Sequence, residues 1–129
     1  MEKVCLDTNV IIQFMKNDGQ VVSRLEDLAK THVLVTTVLN SFELYGGIYR
    51  KNAHREEKDA EQILEKMEVI EFAKEDSKPA AKIFSDLIRQ GKESSPEDSI
   101  IAALCLKNKC KLFTLNRKHF EKIPGLQIV

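Results

Sequence analysis

The chain has 129 residues, 43% of them hydrophobic and 31% charged, with 20 basic side chains against 20 acidic ones. That length and balance describe one soluble globular domain, able to bury about two-thirds of its unfolded surface. A formal net charge of +0 at pH 7 excludes a binder that relies on global attraction to nucleic-acid phosphates, although a local patch stays open.

Lys3 to Leu6 reads as a buried strand ending at Asp7, and Val10, Ile11 and Phe14 then share one helix face. Asn17-Asp18-Gly19 stops that helix with turn chemistry, and Val21, Val22, Leu25 and Leu28 mark a second helix. Val33-Leu34-Val35 is a short strand, after which Thr36 or Thr37 caps a third helix. Spacing assigns that helix an apolar stripe of Val38, Phe42, Tyr45 and Tyr49, with Leu39 beside it. Glu43 falls at the stripe's edge, half-buried. Gly46-Gly47 inside a helix costs about 1 kcal/mol per residue relative to alanine, which close packing against a neighbour would explain. Arg50 to Lys58 is polar and mostly basic and leads into a helix with Ile63, Leu64 and Met67.

Val69-Ile70-Glu71-Phe72 reads as strand three. Pro79 stands near the start of a helix carrying Ala80, Ile83, Phe84 and Leu87, which Gly91 ends. Ser94-Ser95-Pro96-Glu97-Asp98 opens the next helix, with Ile101, Leu104 and Cys105 on its inner face. Lys111 to Leu115 is strand four, followed by Asn116, and Leu126 to Val129 makes a final short strand. Strands alternating with helices predict an α/β fold with a central parallel sheet of about five strands, covered on both faces, as a single domain over residues 1–129. Cys5, Cys105 and Cys110 are odd in number and read as buried small hydrophobes, with no Cys-His spacing for zinc. No apolar run approaches the roughly 20 residues of a membrane span. Met1-Glu2-Lys3 leads straight into a strand and not a secretory signal, so a cytoplasmic protein is expected.

In parallel α/β sheets, ligands bind just outside the carboxyl ends of the strands. Asp7 ends strand one, Glu43 lies in the first turns of the helix after strand two, Asp98 opens the helix before strand four, and Asn116 follows strand four. All four can therefore reach one edge. Crowded carboxylates repel, so some take up protons or bind a cation. An oxygen donor set suits Mg²⁺ or Mn²⁺ rather than zinc or copper. Such an ion polarises a phosphoryl oxygen and generates hydroxide from water near neutral pH, which implies hydrolysis of a phosphate ester. Each residue also has a structural reading. Asp98 stands at capping-box spacing from Ser95, Asp7 can cap the helix beginning near Asn9, Glu43 can be a solvated glutamate and Asn116 a turn residue. Those readings give no reason for all four to fall at one edge.

LDTNVII at the N-terminus, NSFELYGG after strand two, PEDSIIAAL, and LFTLNRKHFEKIPGLQIV occur in this order over essentially the whole chain. Together they resemble the PIN-domain family, most closely its VapC-type toxins from toxin–antitoxin pairs. The resemblance implies a three-layer α/β/α sandwich and an Mg²⁺- or Mn²⁺-dependent endoribonuclease. It makes Asp7, Glu43 and Asp98 the catalytic, metal-binding carboxylates. It puts Asn116 at a fourth catalytic position that is often Asp in the family, where an amide oxygen can still hold a water. Thr8, Asn9 and Thr114 are near enough to orient water or a carboxylate, and equally suit turns and caps. Arg50, Lys51 and Arg55, with Tyr49 and His54 among them, and Arg117 and Lys118 are candidate RNA phosphate contacts; a charge run is also an ordinary solvated face. The family further implies a homodimer and a cognate antitoxin whose tail blocks the acidic site. His119, beside a phenylalanine and a turn, reads as structural. A haloacid-dehalogenase-type phosphatase would need a second aspartate where Asn9 stands, and a receiver domain would need paired acids after strand one and a lysine after the last core strand. A non-catalytic PIN-fold scaffold that binds RNA or protein is the alternative that Asn116 leaves open.

Overall fold

In the computed structural model, which describes residues 1–129, β1 (Glu2–Leu6) is buried from Val4 onward. Neighbouring side chains on a strand point to opposite faces. Val4 and Leu6 accordingly enter one hydrophobic cluster and Cys5 enters another. A parallel strand covered on both sides must be apolar throughout, and this run is.

α1 (Thr8–Met15) and α2 (Gly19–Ala29) follow, separated by Asn17, whose φ of 59° ends the first helix, and Asp18, whose carboxylate caps the second. β2 (His32–Thr37) pairs with β1, and α3 (Val38–Arg50) and α4 (His54–Glu65) lead to β3 (Glu68–Ile70) outside β2. A short 3₁₀ turn (Lys74–Asp76), α5 (Ser77–Arg89) and α6 (Pro96–Lys107) precede β4 (Cys110–Phe113), which returns to the other side of β1. The sheet is entirely parallel, in the order β3-β2-β1-β4. α1, α2, α4 and the inner residues Leu44 and Ile48 of α3 pack with Val4 and Leu6 on one face. Leu87 of α5 and the buried length of α6 pack with Cys5, Val35 and Leu112 on the other. The architecture is a three-layer α/β/α sandwich. Chain direction across the sheet reverses between β1 and β4, the kind of switch point where α/β proteins place ligands.

Four sequence expectations need correction, the first being strand three, which is Glu68–Ile70 and not Val69 to Phe72. The sheet has four strands, not about five: Leu126 to Val129 makes only a single bridge, Ile128 to Leu112. Leu112 donates to Gln127 O and accepts from Val129 N, and the pairing goes no further. β4 ends at Phe113 rather than Leu115, because Thr114 and Leu115 turn to meet residues after β1. The inner face of α3 is Asn40, Leu44 and Ile48. Of the expected stripe, Phe42 is 70% exposed and Tyr49 55%, Val38 is exposed, and only Tyr45 packs against the core. A capping box between Thr37 and Asn40 sets the rotational phase of this helix, ahead of the aromatic residues. α6 is buried nearly all round, from Ser99 to Cys105. No helix is long and apolar enough to cross a membrane. The cysteines are free and buried, as expected, and burial pushes the Cys110 thiol up to about 11.

Candidate active site

Asp7 leaves β1 in an extended conformation and its N–H still bonds to Phe113 O at 2.9 Å, continuing the sheet ladder by one step. Its side chain then caps α1, with Oδ1 accepting from Thr8 N at 2.9 Å. Oδ1 also accepts from Asn40 Nδ2 at 3.0 Å, and Oδ2 accepts from Thr114 Oγ1 at 2.7 Å. The carboxylate is buried and fixed by three donors from three elements. A carboxylate offers roughly four acceptor directions, so capacity remains for one more partner. Capping α1 therefore does not use up the Asp7 carboxylate.

Asn40 is the residue that sequence reasoning missed. It has no exposed surface. Its Oδ1 accepts from Thr37 Oγ1 at 2.7 Å and Thr37 N at 3.3 Å, while its Nδ2 donates to Asp7 and, at 3.0 Å, to Thr8 Oγ1. Thr8 Oγ1 in turn donates a hydrogen bond to Glu43 Oε1 at 2.8 Å. One turn of α3 thus carries both Asn40, which orients Asp7, and Glu43, which Thr8 holds. The signal available in the sequence was Thr37-x-x-Asn40, a capping box with Asn in place of Glu.

Asp98 sits in the first turn of α6, where Ser95 Oγ accepts from its N–H at 3.1 Å. Its Oδ2 faces His119 Nδ1 at 3.1 Å. Asn116 accompanies them: its side-chain amide is 3.0 Å from His119 Nδ1, and its N–H donates to Thr114 Oγ1 at 3.0 Å. Glu43, Asp98, Asn116 and His119 line one open cleft, together with the segment Gly91 to Ser95. Burial raises the proton affinity of the Glu43 carboxyl, against the opposing Thr8 hydrogen bond, and the charges of Asp7 and Asp98 raise it further. Burial likewise pushes Asp98 up, against the His119 hydrogen bond, with the charge of Asp7 adding to it. The three carboxylates therefore sense one another across the cleft.

No three of its Asp, Glu, His or Cys side chains close a metal-ligand shell by themselves. Mg²⁺ does not require one: it keeps several waters and takes one or two carboxylates. The carboxylates offer oxygen donors only, none of the three is paired with a lysine or arginine, and two of them are pushed up by their surroundings. These residues fit a hard divalent cation.

Of the supporting residues, Thr8 and Thr114 touch carboxylates directly. Asn9 instead accepts from Leu115 N at 3.1 Å and ties down the segment after β4. The basic candidates stand outside the cleft. Arg50 and Lys51 lie about two turns beyond Glu43, some 10–12 Å along α3, and Lys51 lines a separate hollow with Lys16 and Glu56. Arg55 is exposed on α4. Arg117 bonds to Val129 O at 3.1 Å, and Arg117 and Lys118 share the 3₁₀ turn (Arg117–His119) with His119.

Comparison with known proteins adds to this geometry. The PIN-domain family model matches residues 4–126. The tRNA(fMet)-specific endonuclease VapC of Salmonella typhimurium is 25% identical over 128 residues, covering 99% of this chain and 97% of its own. Ribonuclease VapC1 of Methanocaldococcus jannaschii is 29% identical over 128 residues, covering 98% of this chain and 86% of its own. The crystal structure of DNA-bound VapBC from Salmonella typhimurium superposes with a TM-score of 0.85 at 26% identity, over 100% of this chain and 98% of that one.

Proposed function

This chain belongs to the PIN-domain family, and we propose that it is a metal-dependent endoribonuclease and the toxin of a toxin–antitoxin pair. The observation that carries this reading is that Glu43 of α3 and Asp98 of α6 line one polar cleft, with Asp7 at the end of β1 tied to it through Asn40, Thr8 and Thr114 and its charge felt by both carboxyls. The relatives support it, since one is named a tRNA(fMet)-specific endonuclease and the other a ribonuclease, and the structural neighbour is a VapBC complex.

Asp7 and Asp98, with Glu43, would hold Mg²⁺ or Mn²⁺. Bound there, the ion supplies an activated water and neutralises charge on the phosphate and the leaving oxygen. The chain's own part is positioning and proton handling. Asn40, Thr8 N and Thr114 lock Asp7 in one orientation. Thr8 occupies Oε1 of Glu43 and leaves Oε2 to accept a proton from attacking water, a task suited to a carboxyl whose proton affinity burial has raised. Arg117 and Lys118 at the cleft's rim, and Arg50, Lys51 and Arg55 further out, would meet RNA phosphates. The protein would work in the cytoplasm as a homodimer, held in check by an antitoxin at the acidic cleft. A second reading, a non-catalytic scaffold of the same fold, is favoured by one observation: an amide, Asn116, stands where the family often has a carboxylate.

Cleavage of a labelled single-stranded RNA panel, with Mn²⁺, Mg²⁺ or EDTA, separates the two. The expected result is metal-dependent cutting, abolished by EDTA and by Asp7→Asn or Asp98→Asn while both variants stay folded. Wild-type rates in both variants would sink the assignment, and metal binding without cutting would favour the scaffold.

A further inference from the structure

On the β4 side of the cleft, the group that faces Asp98 is an imidazole. His119 Nδ1 lies 3.1 Å from Asp98 Oδ2 and 3.0 Å from the Asn116 side-chain amide. Both partners are held by the fold. Asp98 is half of a helix cap with Ser95. His119 donates its backbone N–H to Asn116 O at 3.1 Å, and the next residue, Phe120, is buried in the core beneath α6. The His119 side chain is half-exposed and that of Asp98 mostly buried, and both are short, unlike the long flexible side chains of a surface ion pair that contributes little.

Donor counting assigns the proton. An ionised carboxylate only accepts, so opposite ionised Asp98 the imidazole carries hydrogen on Nδ1. Asn116 then meets the same N–H and must turn its amide oxygen, not its nitrogen, toward the ring; the two ends of an amide are told apart by such networks. One N–H thereby serves Asp98 Oδ2 and Asn116 Oδ1, and in the neutral ring this is the Nδ1–H tautomer.

We propose that His119 is a positioning residue of this site, whose Nδ1–H holds Asp98 Oδ2 and fixes the orientation of the Asp98 carboxylate in the cleft. Its consequence for metal binding rests on the reading above; its hydrogen bond does not. Partners behind a metal-binding carboxylate typically carry about a 10- to 100-fold effect on affinity.

The test uses the full chain and two measurements. Nitrogen-15 spectra of the imidazoles, taken without metal near pH 8 where an unperturbed histidine is neutral, report which nitrogen of His119 is protonated. Calorimetric titration with Mn²⁺ reads affinity in wild type, His119→Ala, His119→Asn and His119→Gln, each checked for an unchanged thermal midpoint. An asparagine amide nitrogen overlays Nδ1, whereas that of glutamine overlays Nε2. The expected result is an Nδ1–H tautomer in wild type that reverts to Nε2–H in Asp98→Ala. Mn²⁺ binding should weaken about 10-fold in His119→Ala and His119→Gln, and stay within about threefold of wild type in His119→Asn. An Nε2–H tautomer in wild type, wild-type affinity in His119→Ala, or equal weakening by Ala and Asn would overturn the proposal. If wild type binds no Mn²⁺, the metal-dependent reading fails, and the tautomer alone decides whether His119 holds Asp98.

Discussion

Asn40 uses every hydrogen-bonding position of its side chain and exposes none of its surface. Removing it strands donors and acceptors on three other residues. Asn40→Ala should therefore cost about 2–3 kcal/mol of folding stability, the range for buried polar groups left unpaired, and should lower cleavage by freeing Asp7 to rotate. Urea unfolding measures the first and the RNA assay the second. A stability loss below about 0.5 kcal/mol would mean that water replaces the amide without penalty. The same logic explains why Thr36, next to the cap, is not interchangeable with Thr37: it donates to Leu6 O at 2.8 Å, linking β2 to the strand end that carries Asp7.

Among the elements, α3 presents an unusual outer face. Phe42 and Tyr49 project into solvent, Tyr45 and Tyr49 stack with ring centroids 6.3 Å apart, and a Cβ added at Gly46 or Gly47 would meet only the Arg50 guanidinium. Nothing inside the chain requires those glycines, so close packing against another element, the reason the sequence suggested, is absent within one protomer. A second copy approaching this face would supply it. Phe42→Arg should then shift sedimentation of the purified protein from dimer to monomer while leaving its circular dichroism unchanged; a monomeric wild type would remove α3 as a self-association face. α6 is anchored at its other end by Lys107, which reaches buried Asp76 at 2.7 Å. The Lys107 hydrogen bond, with that from Ala73 N, holds the Asp76 carboxyl below its ordinary range, and Asp76 in turn raises Lys107. A depressed carboxyl stabilises above its unfolded value and loses that contribution as pH falls through the folded value. A raised lysine keeps its contribution below its ordinary value and loses it as pH rises through the raised one. The clamp is therefore complete between the carboxylate and lysine ranges. Asp76→Asn should lower the thermal midpoint near pH 7, and that deficit should shrink as pH falls below the ordinary carboxylate range toward the lowered folded value of wild-type Asp76.

For the whole molecule, the consequence of the crowded cleft is that a divalent cation and folding should be linked. The native state gathers Asp7, Glu43 and Asp98; the unfolded chain separates them by 36 and 55 residues along the sequence, by subtraction of their numbers (43 − 7 and 98 − 43). A ligand that binds only the native state stabilises it by about 2.7 kcal/mol at a hundredfold excess over its Kd. Adding Mn²⁺ should raise the thermal midpoint, EDTA should reverse the rise, and Asp7→Asn should show none. An equal rise in Asp7→Asn would place the ion elsewhere on the surface.

The order of strands and helices, the burial of β1, and the arrival of Asp7, Glu43, Asp98 and Asn116 at one edge were legible in the sequence. Each depends on local signals: apolar runs, helix starts, and the rule that parallel strands present the same ends together. The helix starting at Pro96 was legible for the same reason, since Ser95, Pro96 and Asp98 announce it within four residues. The phase of α3, the role of Asn40, the tie from Asn9 to Leu115 and the Asp98–His119 pair were decided only in the folded chain. Asn40 meets Asp7 across 33 residues and Thr114 meets it across 107. Periodicity ranks residues by their apolar character, so it turned the aromatic side of α3 inward. The fold turned it outward, because burying Asn40 satisfies four hydrogen bonds that no exposed aromatic ring could replace.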